Sequence, residues 1–518
     1  MTPIIVIFAY LAVVFYLGIF AFRRRASGED FFLASRSVGS IFFFLSLFAT
    51  NMTAFAILGS SGLAYRCGIG VYGLMASSSG FIIPLTLLVI GTRLWGLGKR
   101  FGHMTQVQYF RDRWECGSIG TFIFLLTTAM LIPYLIISIT GGGTILESLT
   151  NGRISYAVGG AIVALVVMGN VFFGGMRGAV LVNVLQTLLF LSFGVVAFVV
   201  ISSHLKDGLA GAVHHMAGNP KLSWALNREK ISSGEFFSYL FIPLSSIMFP
   251  HMSIMCMTAR RVTAFKKTVV LYPLCIMLLW LPCVFLGAIA VGQPDIVKAM
   301  AGQSNDAVLL VMLKTYVPAM LAGILAAGII SAVMGSDCHQ ILALSTMFSK
   351  DIFDYYGGRK RFGDRGSVIV GRLFIVLANT IAYLVALRRP RIFELAVTYA
   401  FSGFASLAPV MVAALFWKRS TKWGALAAAI FVAACVAATQ WFETRYKLHG
   451  GPPTEVVIWA LGGGVKLLYL NVGQKLMVWG FMPVVPMVMG SAICVIVFSL
   501  LSRPPTPQTL NRYFPAAA

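Results

Sequence analysis

Charge is scarce in this chain. Of its 518 residues 11% are charged, against roughly a quarter in soluble domains. That excludes a soluble globular enzyme and a disordered polyelectrolyte. Acidic residues are the scarcest: 17 Asp+Glu stand against 40 Lys+Arg, for a net charge of +23. In a soluble protein this balance points to nucleic acid. Here the basic residues lie between long apolar runs. They read as orienting charges that also attract anionic lipid, and no nucleic-acid partner is expected. The eight cysteines show no CxxC spacing and fall mostly inside apolar runs, so they read as packing residues and not as a disulfide or metal framework. Walker A, HExxH and GxSxG sequences are absent, and no enzymatic activity or organic cofactor is expected. What is abundant is apolar surface: 58% of residues are hydrophobic and mean hydropathy is +0.86. Several runs exceed the ~18 residues that mark a membrane span. The class is an all-α polytopic membrane protein.

Thirteen spans are predicted near 3–22, 40–64, 70–97, 117–145, 155–173, 179–203, 236–257, 268–292, 317–349, 367–387, 393–416, 422–441 and 477–501. Arg23-Arg24-Arg25 follows the first apolar run, whereas a signal peptide carries its charge before it. The first span is therefore read as uncleaved, with the N-terminus outside and the C-terminus in the cytoplasm. Most basic residues, Lys99, Arg100, Arg260, Arg261, Lys266, Lys267 and Arg359 among them, then fall inside, as the positive-inside rule requires. Arg388, Arg389 and Arg391 form an exposed basic turn outside. Outer segments 204–235, 293–316 and 442–476 are long enough for short helices; "DAVLLVMLKTYVP" reads as an amphipathic surface helix.

Three spans break their own rules. The second carries Ala49-Thr50-Asn51-Met52-Thr53, polar and weakly helical. An unwound turn there frees carbonyls for an ion or solute, although Ser, Thr and Asn also serve as helix–helix glue. The seventh has Pro243 and Pro250 with Ser245-Ser246 between them. Two interrupted helices five spans apart point to a transporter site at a repeat interface. The ninth places Asp337 inside an apolar stretch, at about 2.5–3.5 kcal/mol on insertion scales. It reads as an ion ligand, a proton carrier or half of a charge pair. His339, two residues on, reads as an interfacial polar residue that could titrate near neutral pH. With no nucleotide-binding motif, uphill transport would draw on an ion gradient.

"EDFFLASRSVGS", "FATNMTAFAILG", "GGMRGAVLVNVLQ", "FPHMS" followed by "ARR", and above all "AVMGSDCHQILALSTMFSKDIF" together resemble the sodium:solute symporter family over roughly residues 25–420. The resemblance implies a five-plus-five inverted repeat of the LeuT type, with one leading and two trailing helices. It is expected as a single membrane transport domain over 1–518: a leading helix (1–25), a first repeat (38–203), a second repeat (236–416), and trailing helices with the tail (420–518). It implies sodium-coupled symport of a small organic solute across the plasma (inner) membrane by alternating access. Sodium is the coupling ion, and the partners are solute, sodium and membrane lipid, with no obligate protein partner. A proton-coupled carrier and a non-transporting solute sensor on the same fold are the alternatives.

By position, the family's cation site falls on the carbonyls of Ala49, Met52 and Ala332 and on the hydroxyl of Ser336. The second hydroxyl position is Gly335, which has none. Where relatives commonly carry an Asp on the fifth core helix, this chain has Asn183. Either the charge has moved to Asp337, or sodium coupling is altered. The solute pocket is expected to draw on Thr53, Ser78, Ser245, Ser246, Tyr399 and Ser402, all of which could equally be helix glue. The resemblance does not choose among sugars, amino acids, carboxylates, vitamins and other solutes.

Overall fold

The computed structural model describes residues 2–22, 28–390, 395–446, 455–461, 465–471 and 475–514. Arg23–Arg25 and Arg391, which entered the charge count above, lie outside the described residues, as does part of segment 442–476.

The chain is a bundle of apolar helices. The leading helix α1 (Thr2–Phe22) is followed by a bent pair, α2 (Ser40–Asn51) and α3 (Phe55–Cys67). Then come α4 (Gly70–Phe101), the short α5 (Gln106–Trp114) and α6 (Gly117–Leu149). α7 (Tyr156–His204) has 49 residues. At ~1.5 Å per residue it is more than twice as long as a ~30 Å hydrocarbon core. It divides at Gly175, whose φ of 56° and ψ of −148° suit only glycine. The expected separate spans 155–173 and 179–203 are thus two limbs joined at one glycine. A Cβ there would stand 2.7 Å from the Phe31 carbonyl oxygen.

The second bent pair is α8 (Ser233–Met248) and α9 (Pro250–Thr258). After it come α10 (Thr263–Gly292), α11 (Val308–Tyr316), α12 (Ala319–Asp354), α13 (Gly358–Ala386), α14 (Tyr399–Phe416) and α15 (Lys422–Tyr446). The apolar window of α12 is 78% buried, against 28% for α13 and α15. α12 therefore runs through the interior of the bundle, and α13 and α15 lie on its outside.

Two outer segments depart from expectation. α11 is not a surface helix: Val308 through Leu313 are all buried, and only its end around Lys314 is open. Its apolar residues run too continuously to leave a polar face. Segment 442–476 builds strands instead of helices: β1 (Val456–Leu461), β2 (Val465–Leu470) and β3 (Leu476–Val478) form an antiparallel sheet in the order β1-β2-β3. The Val, Ile, Trp and Tyr content of these runs favours strands. The chain ends with α16 (Val484–Leu501) and a short α17 (Pro507–Tyr513).

Candidate functional site

The first break forms where Met52 leaves the helix, at φ −96° and ψ 124°. Its N–H donates to the carbonyls of Phe48 and Ala49 at 3.1 Å each. The Thr53 hydroxyl accepts the Phe55 N–H at 3.1 Å, which caps α3, and the two halves meet at 60°. The C-terminal end of α2 is thereby buried in the bundle, with its partial negative charge at the break. The second break lies at Phe249, extended at ψ 123° ahead of Pro250. Proline bars the preceding residue from the helical region and is itself at home at the first helical position. The bend is 53°.

α2, α7 and α12 converge at Gly335. A Cβ on Gly335 would lie 3.2 Å from Gln186 Oε1 and 3.5 Å from both Ala49 Cβ and Asn183 Oδ1. Ala49, Met52, Ala332 and Ser336 are all buried. The Ser336 hydroxyl has no hydrogen-bond partner, and neither do Asn183 Oδ1 and Gln186 Oε1. Asn183 Nδ2, with two hydrogens, faces three acceptors: the Ser46 carbonyl at 3.4 Å, the Thr50 hydroxyl at 3.3 Å and His339 Nδ1 at 3.0 Å. Gln186 donates to the Tyr10 hydroxyl of α1 at 3.1 Å, which ties the leading helix to this cluster. His339 is not interfacial: it is fully enclosed beside Asn183. Sequence reading missed Ser46, Gln186 and Tyr10. The available signal was a polar stripe, Ser46 with Thr50 and Asn183 with Gln186, at helical spacing on otherwise apolar spans.

Asp337 is wholly buried, and neither carboxylate oxygen has a hydrogen-bond partner. The other buried charges among the described residues are all engaged. Asp30 pairs with Arg177, Asp351 with Arg111, Lys350 with Asp354 and Glu235 with Lys475. Glu443 accepts from Tyr399, and Arg113 donates to the carbonyls of Ala414, Trp417 and Lys418. Asp337 is thus not half of a charge pair among the described residues. Two helical steps of 100° carry it from Gly335 to the other side of α12.

That other side meets α6. A Cβ on Gly141 would touch Val333 Cγ2 and Ala54 Cβ, while Phe124 meets Phe348. The two helices are therefore antiparallel. One turn beyond Val333, Asp337 comes level with Ser138, whose hydroxyl is buried without a partner. Tyr134, one turn further along α6, spans both breaks: its hydroxyl faces Thr53, and its ring stacks on Phe249 at 5.1 Å.

The expected solute residues are only partly brought together. Thr53 and Ser245 flank the breaks, and Ser246 lies 3.2 Å from Thr86 of α4. The Ser78 hydroxyl is spent on the Leu74 carbonyl and that of Ser402 on Val397. Tyr399 turns away to Glu443 at 3.0 Å. From α14 it is Phe401 that reaches the breaks, meeting Phe55 at 5.1 Å, Tyr134 at 5.2 Å and Phe249 at 5.7 Å. The expected basic turn is not free at Arg389, which forks onto Glu147 at 2.7 and 2.9 Å.

Comparison with known proteins agrees with this geometry. The family model described as "Sodium:solute symporter family" matches residues 31–431. The sodium/pantothenate symporter of Escherichia coli (strain K12) is 26% identical over 439 residues, covering 82% of this chain and 87% of the relative. The sodium/proline symporter of Salmonella typhimurium is 23% identical over 548 residues, covering 100% and 97%. A solved Na+-coupled sialic acid symporter, substrate-bound and outward-open, superposes with a TM-score of 0.75 at 16% identity, covering 98% of this chain and 99% of that one. The LeuT-like fold is therefore shared.

Proposed function

From a chain that belongs to the sodium:solute symporter family, we propose a secondary active transporter that carries a small organic solute with sodium by alternating access. It is a multi-pass membrane protein. In this reading it sits in the plasma (inner) membrane with its N-terminus outside and its C-terminus in the cytoplasm. The asymmetry of its Lys and Arg supports that orientation. Its working unit is one membrane domain, two inverted repeats over 38–203 and 236–416 that share the breaks at Met52 and Phe249.

Sodium is held between the end of α2 and the middle of α12. The carbonyls of Ala49, Met52 and Ala332 and the hydroxyl of Ser336 are its ligands, oxygen donors of the kind a hard cation takes. Gly335 contributes no hydroxyl, and Asn183 brings an amide oxygen where a carboxylate would add charge. Solute binds across the two breaks, beside Thr53, Ser245 and Ser246. The two sites adjoin at the first break, so filling one organises the other, which is the basis of coupling.

The observation that carries this reading is the Ser336 hydroxyl, buried without a partner next to the first break. A buried hydroxyl left unpaired costs about 1–3 kcal/mol, and a bound cation removes that cost. The test is uptake into proteoliposomes, with the sodium gradient and pH set independently across a small solute library. Solute accumulation that follows the sodium gradient is expected. Accumulation indifferent to sodium would overturn the coupling.

A further inference from the structure

We propose that Asp337 is the anionic subsite of the solute pocket and that the transported solute carries an organic ammonium group. The proposal deepens the symport reading and shares its solute site. Its first support is charge. Of the buried charged side chains among the described residues, only Asp337 lacks an ion-pair or hydrogen-bond partner. A carboxylate at mid-span persists where it meets a cation in function. No buried Arg or Lys lies near it. Arg111, Arg113 and Lys350 are all held at one end of the bundle by Asp351, backbone carbonyls and Asp354. A solute recognised through a carboxylate alone would meet an acid there and no base.

The second support is aromatic. Phe55 of the first break, Tyr134 of α6, Phe249 of the second break and Phe401 of α14 form one group with ring centroids 5.1–5.7 Å apart. Four separate elements supply the rings, and two of them carry the breaks. Ring faces attract ammonium groups, most strongly when both are desolvated. Tyr134 lies one turn along α6 from the level of Asp337. Acid and rings are thus ranged along the same stretch of α6, about one turn apart, with the unpaired hydroxyl of Ser138 at the level of the acid.

The third is access. A cavity of about 370 Å³ is lined by Thr140, Thr144 and Glu147 along one side of α6, with Asp306, Lys314 and Arg389 opposite. Thr140 in its lining precedes Gly141, which packs against Val333 one turn from Asp337.

The test uses purified full-length protein in detergent with sodium chloride. The probes are choline, glycine betaine and L-proline, set against pyruvate and galactose. We expect a saturable rise in melting temperature with at least one ammonium compound and none with pyruvate or galactose. Asp337→Asn should raise the half-saturating ammonium concentration at least ten-fold and leave the rise caused by sodium intact. Phe401→Leu, which keeps the bulk and removes the ring, should weaken the ammonium response several-fold. It also serves if Asp337→Asn cannot be isolated folded. A response to pyruvate or galactose alone, or ammonium responses unchanged in both variants, would overturn the proposal. Loss of the sodium response in the unmutated protein would instead count against sodium coupling and leave the ammonium site standing.

Discussion

Asn183 Nδ2 lies 3.0 Å from His339 Nδ1, and one amide fixes the state of the ring. The same Nδ2 faces the Ser46 carbonyl, which can only accept, so Nδ2 is the donor. His339 Nδ1 then accepts, and the ring proton sits on Nε2, 3.4 Å from the Ser46 hydroxyl. Three elements are locked by one side chain.

Replacing Asn183 with Asp removes that donor. The new carboxylate has no N–H for Ser46, Thr50 or His339. A loss of about 1–3 kcal/mol is expected, the cost of stranding buried acceptors. The added charge also sits beside Gly335, where a cation would offset it. The melting temperature of Asn183→Asp should therefore fall in potassium chloride and recover in sodium chloride. An equal fall in both salts would separate Asn183 from the cation site.

Ser336 gives a sharper test. Its hydroxyl has no protein partner, so Ser336→Ala strands nothing and, by removing an unpaired buried hydroxyl, should raise stability in sodium-free buffer by up to about 1–3 kcal/mol. Losing one charge-assisted contact, about 1.5–3 kcal/mol, should raise half-saturating sodium for uptake by roughly ten-fold or more. Sodium titration of initial uptake rates measures this directly.

Gly335 tests the gap. Its surroundings admit a Cβ, with Gln186 Oε1 at 3.2 Å the tightest neighbour. Gly335→Ser gains about 0.5 kcal/mol or more of helix propensity and offers a hydroxyl to the cation. Half-saturating sodium should fall. A gain in melting temperature with unchanged sodium dependence would mean that Gln186 or Asn183, both with unpaired oxygens, has captured the hydroxyl.

Both breaks were legible in the sequence because each has a local cause: Asn51-Met52-Thr53 cannot hold a helix in one case, and proline forbids it in the other. Asp337 was legible because an acid inside an apolar run is costly wherever the run packs. The cluster around Asn183 was not. Ser46, Gln186, Tyr10 and His339 lie on four helices, and no periodicity within one span shows which polar residues meet across spans. The hydrogen bonding of the expected solute residues was hidden for a related reason. Hydroxyls drew attention at Ser78, Tyr399 and Ser402, yet a serine in an apolar helix satisfies itself on its own backbone, as Ser78 and Ser402 do. Phe401 does the reaching, and it looks like any lipid-facing phenylalanine.

The tail supplies a pH test away from the membrane. Tyr513 of α17 is buried against Phe101 and Tyr109, and two carboxylates of the α5 region hold the segment. Asp112 bonds His103 at 2.8 Å and Arg512 at 3.4 Å. Glu115 accepts from Thr506 at 2.6 Å and also from Thr509. The His103 hydrogen bond is the main force holding Asp112 below the ordinary carboxylate range, and the two threonine hydroxyls do the same for Glu115. Groups depressed on folding contribute stability that is complete above the unfolded values, about 4, and is lost as pH falls through the lower folded ones. Asp112→Asn combined with Glu115→Gln should therefore lower the melting temperature at pH 7, by the modest amount typical of partly exposed charges, about 1 kcal/mol or less. The gap between variant and parent should narrow as pH falls below about 4 and through the lower folded values, as the parent's carboxylates protonate too. Melting curves of both proteins from pH 7 to pH 3 measure it. A gap constant over that range would mean that packing of Tyr513, not these carboxylates, anchors the tail.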